Sequence, residues 1–165
     1  MENADNLGPV HEALLAVERG DPVHWAMPLV RTLDSWKCGC ALEWATRLLL
    51  KELPHYRPHH SAREQAWLKR LDHLRIASRD SREVDKLSRD IWYSPEHRDE
   101  FQVAVARLYG ALARLLTGNT KAYLREVASA LSVVGRSAND EPDVNFVRRA
   151  IELFYSFQIH PPDKQ

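Results

Sequence analysis

Phe101, Val105, Leu108, Leu112 and Leu115 recur at steps of four and three. That spacing lays one apolar stripe along a helix, and it admits no strand, whose side chains alternate with period two. The same rhythm returns in Leu42, Ala45, Leu49 and Leu53, in Trp67, Leu71 and Leu74, in Tyr123, Val127, Ala130 and Val134, and in Val144, Val147, Ile151 and Phe154. No run of strict alternation and no Asn-Gly or Asp-Gly hairpin turn competes with it. The fold class is all-α.

Punctuation residues cut the stripes into segments. Asp21-Pro22 and Ser94-Pro95 each set a capping side chain before a proline suited to a first helical turn. Ser61-Ala62-Arg63-Glu64 and Asp80-Ser81-Arg82-Glu83 read as capping boxes, and Asp140-Glu141-Pro142-Asp143 puts negative charge where the last helix begins. Gly20, Gly118 and Gly135 fall where helices should stop in the left-handed conformation. The expected segments are 9–19, 22–35, 38–53, 61–78, 81–93, 95–117, 120–134 and 142–158. They make a compact bundle of seven to eight amphipathic helices. The longest, 95–117, carries Ala104, Ala106, Gly110, Ala111 and Ala113, and small residues on several sides suit a central helix. A tail at 1–8, one helical domain at 9–159 and a tail at 160–165 complete the reading. Ala66-Trp67-Leu68-Lys69-Arg70-Leu71 echoes Ala122-Tyr123-Leu124-Arg125-Glu126-Val127, which fits a duplicated helical hairpin or two helices built to the same rules.

Charge limits the function classes. Twenty-three Lys and Arg face twenty-three Asp and Glu in 165 residues, so the formal charge is zero and the footprint of a general nucleic-acid binder is missing. Residues 51–100, the most basic-looking stretch, hold eleven cations and ten anions, interspersed as on solvated helix faces. A neutral chain also repels its own copies weakly, which leaves a homo-oligomer open. No apolar run has the length of a membrane span, and Met1-Glu2-Asn3-Ala4-Asp5 does not begin a signal peptide. Two cysteines, separated by one residue in Cys38-Gly39-Cys40, are not a disulfide framework. A reducing, cytoplasmic setting is the expectation.

Catalytic motifs are not advertised. The chain contains no Gly-x-Ser-x-Gly elbow, no His-Glu-x-x-His and no glycine loop able to cradle a phosphate. The sharpest chemical alternative is zinc, because Cys38, Cys40, His55, His59 and His60 lie within 23 positions and offer thiolate and imidazole. Against it, one intervening residue is fewer than a zinc knuckle uses. Two residues apart on a helix, the cysteines would also diverge by about 200°. Pro54 and Pro58 argue against a helix across His55 and His59. Without a metal, the same residues read as a small buried thiol beside a solvated, histidine-rich connection, with metal or small-ligand binding kept as the competing class.

Five tryptophans, at 25, 36, 44, 67 and 92, are many for this length. Trp67 sits on its helix's stripe; Trp36, Trp44, Trp92 and Tyr93 are the candidates to reach a partner, since an apolar body with a polar tip suits a half-buried interface. The stretch Trp36-Lys37-Cys38-Gly39-Cys40-Ala41-Leu42-Glu43-Trp44-Ala45-Thr46-Arg47-Leu48-Leu49, followed after an Arg-Pro loop by Ala62-Arg63-Glu64-Gln65-Ala66-Trp67-Leu68, resembles small all-helical bacterial families described as immunity proteins of toxin systems or as secretion-associated proteins. The resemblance covers roughly 30 residues and uses types that recur in amphipathic helices. It implies a stoichiometric protein-binding role with no catalytic residues. The sequence therefore points to a non-catalytic helical protein that binds another protein.

Overall fold

A computed structural model describes the backbone of residues 2–56, 62–95 and 99–159, and their side chains from residue 8 onward. Eight helices follow one another among these residues: α1 (Glu2–Glu18), α2 (Met27–Trp36), α3 (Cys40–Tyr56), α4 (Ala62–Ala77), α5 (Ser81–Trp92), α6 (Glu100–Leu116), α7 (Thr120–Val134) and α8 (Val144–Ile159). The only β pairing among them is an isolated bridge between Arg136 and Pro142. None of the described helices is long and apolar enough to cross a membrane.

α6 is the hub, packing most extensively on α5 and α7 and also touching α3 and α4. Its stripe is buried from Phe101 to Leu112, and Ala104, Ala106, Ala111 and Ala113 are buried beside it. Small side chains let the neighbours close in, and Ser88 on α5 donates to the Ala106 carbonyl at 2.7 Å across that contact. The echo between 66–71 and 122–127 does not become a repeated hairpin: α5 lies mainly against α6, whereas α8 lies against α3.

Several helix boundaries depart from the sequence reading. α1 is Glu2–Glu18 and carries Pro9 inside it; a proline removes one backbone bond and a helix can run past it. Asp21 does not start a helix. Its carboxylate accepts from the amides of Val23 and His24, closing a turn, and residues 22–26 bend so that Trp25 is buried edge-on to Phe146. The α2 helix starts only at Met27, with Pro28 in its first turn. α6 starts at Glu100 rather than at Pro95: Asp99 caps it, accepting from the Gln102 amide at 3.0 Å, while Ser94 is held by Arg63 and Gln102. α3 starts two residues later than expected and continues through Pro54 to Tyr56, whose hydroxyl donates to the Val134 carbonyl and whose ring packs on Phe101. The buried line of α4 is Glu64, Leu68 and Leu71 rather than one through Trp67, which is half-buried.

Other marks hold. Asp80 caps α5 through the amides of Arg82 and Glu83, Asp143 accepts from Asn145 and Phe146 at the start of α8, and Gly20 and Gly118 adopt left-handed φ values of 70° and 79°. Gly135 does not; its φ is −83°. A Cβ there would meet Phe146 Cδ1 at 2.7 Å, so close approach, not backbone handedness, calls for glycine. Ser61, the 57–60 connection and the 160–165 tail lie outside the described residues.

Candidate interaction surface

The start of α4, the end of α5 and the start of α6 meet in a network that begins with Gln102. Its side chain is fully buried and donates to two carbonyls, Ile91 at 2.7 Å and Ser94 at 2.8 Å. Those two bonds fix how α5 ends. Its Oε1 accepts from Arg63 Nη2 at 3.0 Å, and Arg63 also donates to Ser94 Oγ and to the buried Glu64 carboxylate. The Glu64 side chain is 1% exposed, and burial of a carboxylate is tolerable here because a guanidinium is fixed against it.

This framework holds aromatic rings at the surface. Arg63 lies over the Trp67 ring at 4.5 Å, and Arg107 of α6 lies over the Trp92 ring at 5.4 Å. Arg107 also pairs with Glu126 of α7 at 3.6 Å. Trp67 is fixed from below: Tyr109 donates to its carbonyl at 2.5 Å, and burial holds the Tyr109 phenol well above its usual range. Both tryptophans are half-buried, and Tyr93, the residue that closes α5, is 71% exposed. Half-buried rings, arginines laid over them and an exposed tyrosine are the residue types that dominate binding hot spots.

The four expected partner residues fare differently. Trp92 and Tyr93 belong to this surface. Trp36 lies elsewhere, half-buried with its ring centroid 5.3 Å from that of Phe154 on α8. Trp44 is wholly buried and donates its indole N–H to the Ala150 carbonyl at 3.1 Å, so it ties α3 to α8 and reaches no partner. The sequence reading missed Arg63, Arg107 and the outward share of Trp67. The four-residue step from Arg63 to Trp67 was a legible hint; the pairing of Arg107 with Trp92 joins different helices and leaves no local pattern.

Of the candidate zinc ligands, the described cysteines and His55 do not converge. Cys40 opens α3 and His55 stands near its other end, about 22 Å apart at 1.5 Å per residue. Cys38 is exposed and Cys40 buried. Burial, helped by the Glu43 and Asp34 carboxylates, pushes the Cys40 thiol up to about 12, and burial with Asp34 raises Cys38. His59 and His60 lie outside the described residues. No group of three metal-ligating side chains is placed to hold an ion among the described residues.

What surrounds the cysteines is instead a helix start. Asp34 of α2 accepts from the amides of Gly39 at 3.3 Å and Ala41 at 3.0 Å, and Tyr123 of α7 donates to the same carboxylate at 2.8 Å while accepting from the Leu42 amide at 3.2 Å. Gly39 makes the turn possible with a φ of 89°. The eight helices and this surface define an all-α bundle with an aromatic and cationic patch. No family model, curated protein or solved structure matches the chain.

Proposed function

We propose that this chain is a non-catalytic binding protein, of the adaptor or immunity kind, that acts by docking on another protein through the Trp67–Trp92–Tyr93 surface. The observation that carries the reading is the pair of half-buried tryptophans, each faced by an arginine, beside an exposed tyrosine. Tryptophans already half-buried and packed by an arginine lose little side-chain freedom when a partner covers them. The resemblance of 36–49 and 62–68 to bacterial immunity and secretion-associated proteins favours the same role. Cys38 and Cys40, both free thiols, suit a reducing compartment, and the reading places the protein in a bacterial cytoplasm.

The test is affinity capture from the source cell's lysate, read by mass spectrometry, with wild type and Tyr93→Ala compared. Tyr93 contributes little to the core, so the variant should melt like wild type. One partner recovered in stoichiometric amount, with recovery falling at least about tenfold in Tyr93→Ala, is the expected result. A stoichiometric partner held equally by both proteins would move the surface elsewhere. Recovery of the chain alone, as monomer or as its own oligomer, would overturn binding to a different protein.

A further inference from the structure

α3 and α8 present matching rows to each other. On α3 these are Leu48, Lys51, Glu52 and His55; on α8 they are Arg149, Glu152, Leu153 and Ser156, and between them lies a groove of about 370 Å³. Glu52 is paired with Arg149 Nε and Nη2 at 2.7 and 2.6 Å, and Arg47 lies over Phe157, so the two helices run in opposite directions. Leu48, Leu153 and Ser156 thereby share one end, and the charged residues hold the middle.

The charges are of two kinds. Glu52 has a side chain only 2% exposed and is consumed by Arg149, whose guanidinium is thereby fixed while 40% of its side chain stays accessible. The Glu52 carboxylate, by bonding to that guanidinium, raises the Arg149 pKa further, so the cation is permanent. Lys51 and Glu152 are exposed and face the same groove from opposite walls, yet neither makes an ion pair among the described residues. Opposite charges on facing walls, beside the edges of Leu48 and Leu153, match a ligand carrying both charges on one head and a short apolar tail.

We infer that the α3–α8 groove binds a free apolar amino acid. Its carboxylate meets Lys51 and the outer edge of Arg149, its ammonium meets Glu152 and the Ser156 hydroxyl one turn further on, and its side chain lies on Leu48 and Leu153. The volume falls at the lower end of small-molecule sites, which span about 300–1,000 Å³. Glu52 takes no part in contacting the ligand; it orients Arg149.

Calorimetric titration of the full chain with L-leucine reads the proposal directly. N-acetyl-leucine removes the ammonium, leucinamide the carboxylate and glycine the tail. Leucine should saturate one site per chain, and each analogue should bind at least about tenfold more weakly, the loss of one good contact. Lys51→Met and Glu152→Gln, both at exposed positions, should keep the wild-type melting temperature and lose about tenfold each in leucine affinity. No saturable binding of leucine, equal binding of all four compounds, or affinity unchanged in both variants would each overturn the site. These outcomes are independent of whether Tyr93 holds a protein partner.

Discussion

Glu43, Glu52 and Glu64 are carboxylates almost wholly removed from water, and each has an arginine against it: Arg75 at 2.9 Å, Arg149 at 2.6 Å and Arg63 at 3.0 Å. Such residues sit where a stripe of leucines would otherwise run, so an apolar pattern alone places them at the surface. Partner choice is what permits their burial: besides Arg47 four residues on, Glu43 has Arg75, 32 positions away, and Glu52 has Arg149, 97 positions away. Gly135 shows the same limit at the smallest size. Its place at the end of α7 was legible, but the reason for it, the Phe146 ring of α8, was not. Gly135→Ala should destabilise the fold by about 1–2 kcal/mol. The added methyl overpacks against Phe146 and the Leu131 carbonyl, and the backbone itself accepts alanine. Urea unfolding with an unchanged slope and a lower midpoint is the expected outcome; a midpoint at or above that of wild type would mean the ring moves aside freely.

At the scale of elements, α3, α6, α7 and α8 were legible because each repeats its apolar residues at helical spacing over three or more turns, and α5 was legible from the capping box that Asp80 opens. Starts of α2 and α6 were misread where a cap-and-proline pair stood nearby, and α3 starts two residues later than expected. A local motif states that backbone donors can be satisfied, not that the chain then continues as a helix, and burial of Trp25 bends the segment after Asp21. Of the expected partner residues, Trp92 is half-buried and Tyr93 exposed, while Trp44 was not distinguishable from them without knowing that α8 covers it. Asp34 belongs to the same scale, since one carboxylate serves three elements. Asp34→Ala should cost about 2–4 kcal/mol, the sum of a lost helix cap and a lost hydrogen bond from Tyr123 to a charged acceptor. Asp34→Asn, which keeps one acceptor oxygen, should lose less than half of that in thermal or urea unfolding. Equal losses would assign the effect to charge and not to capping.

Across the whole molecule, Cys40, Tyr109 and Tyr123 are each at most 1% exposed, and burial raises all three above their ordinary values, Cys40 from 9.0 to about 12. For Tyr123 the Asp34 carboxylate adds to the rise. The unfolded chain releases these protons from about pH 9 for the thiol and about pH 10 for the phenols, whereas the folded chain keeps them. Stability is therefore complete below pH 9 and is lost as pH rises toward the folded values, each retained proton steepening the fall by about 1.4 kcal/mol per pH unit. Tyr56, raised to about 12 but 39% exposed, adds less. Urea unfolding repeated from about pH 8 to 11 should trace this decline, and Tyr109→Phe should fall less steeply by one proton's share. Parallel declines in the two proteins would show that Tyr109 ionises equally in both states.

The first turn of α3 borrows its acceptors from α2 and α7, the latter more than eighty positions away along the chain. Nucleating a helix is its costly step, and here the groups that lower that cost arrive only with docking. α3 is therefore a poor seed for assembly. The pathway should begin instead in the contiguous α5–α6–α7 stretch, where contacts are local in sequence and Asp80, Asp99 and Asn119 cap their helices from within. The stretch from Trp36 to Leu49 would then be among the last to settle, and its order would report completion of the bundle.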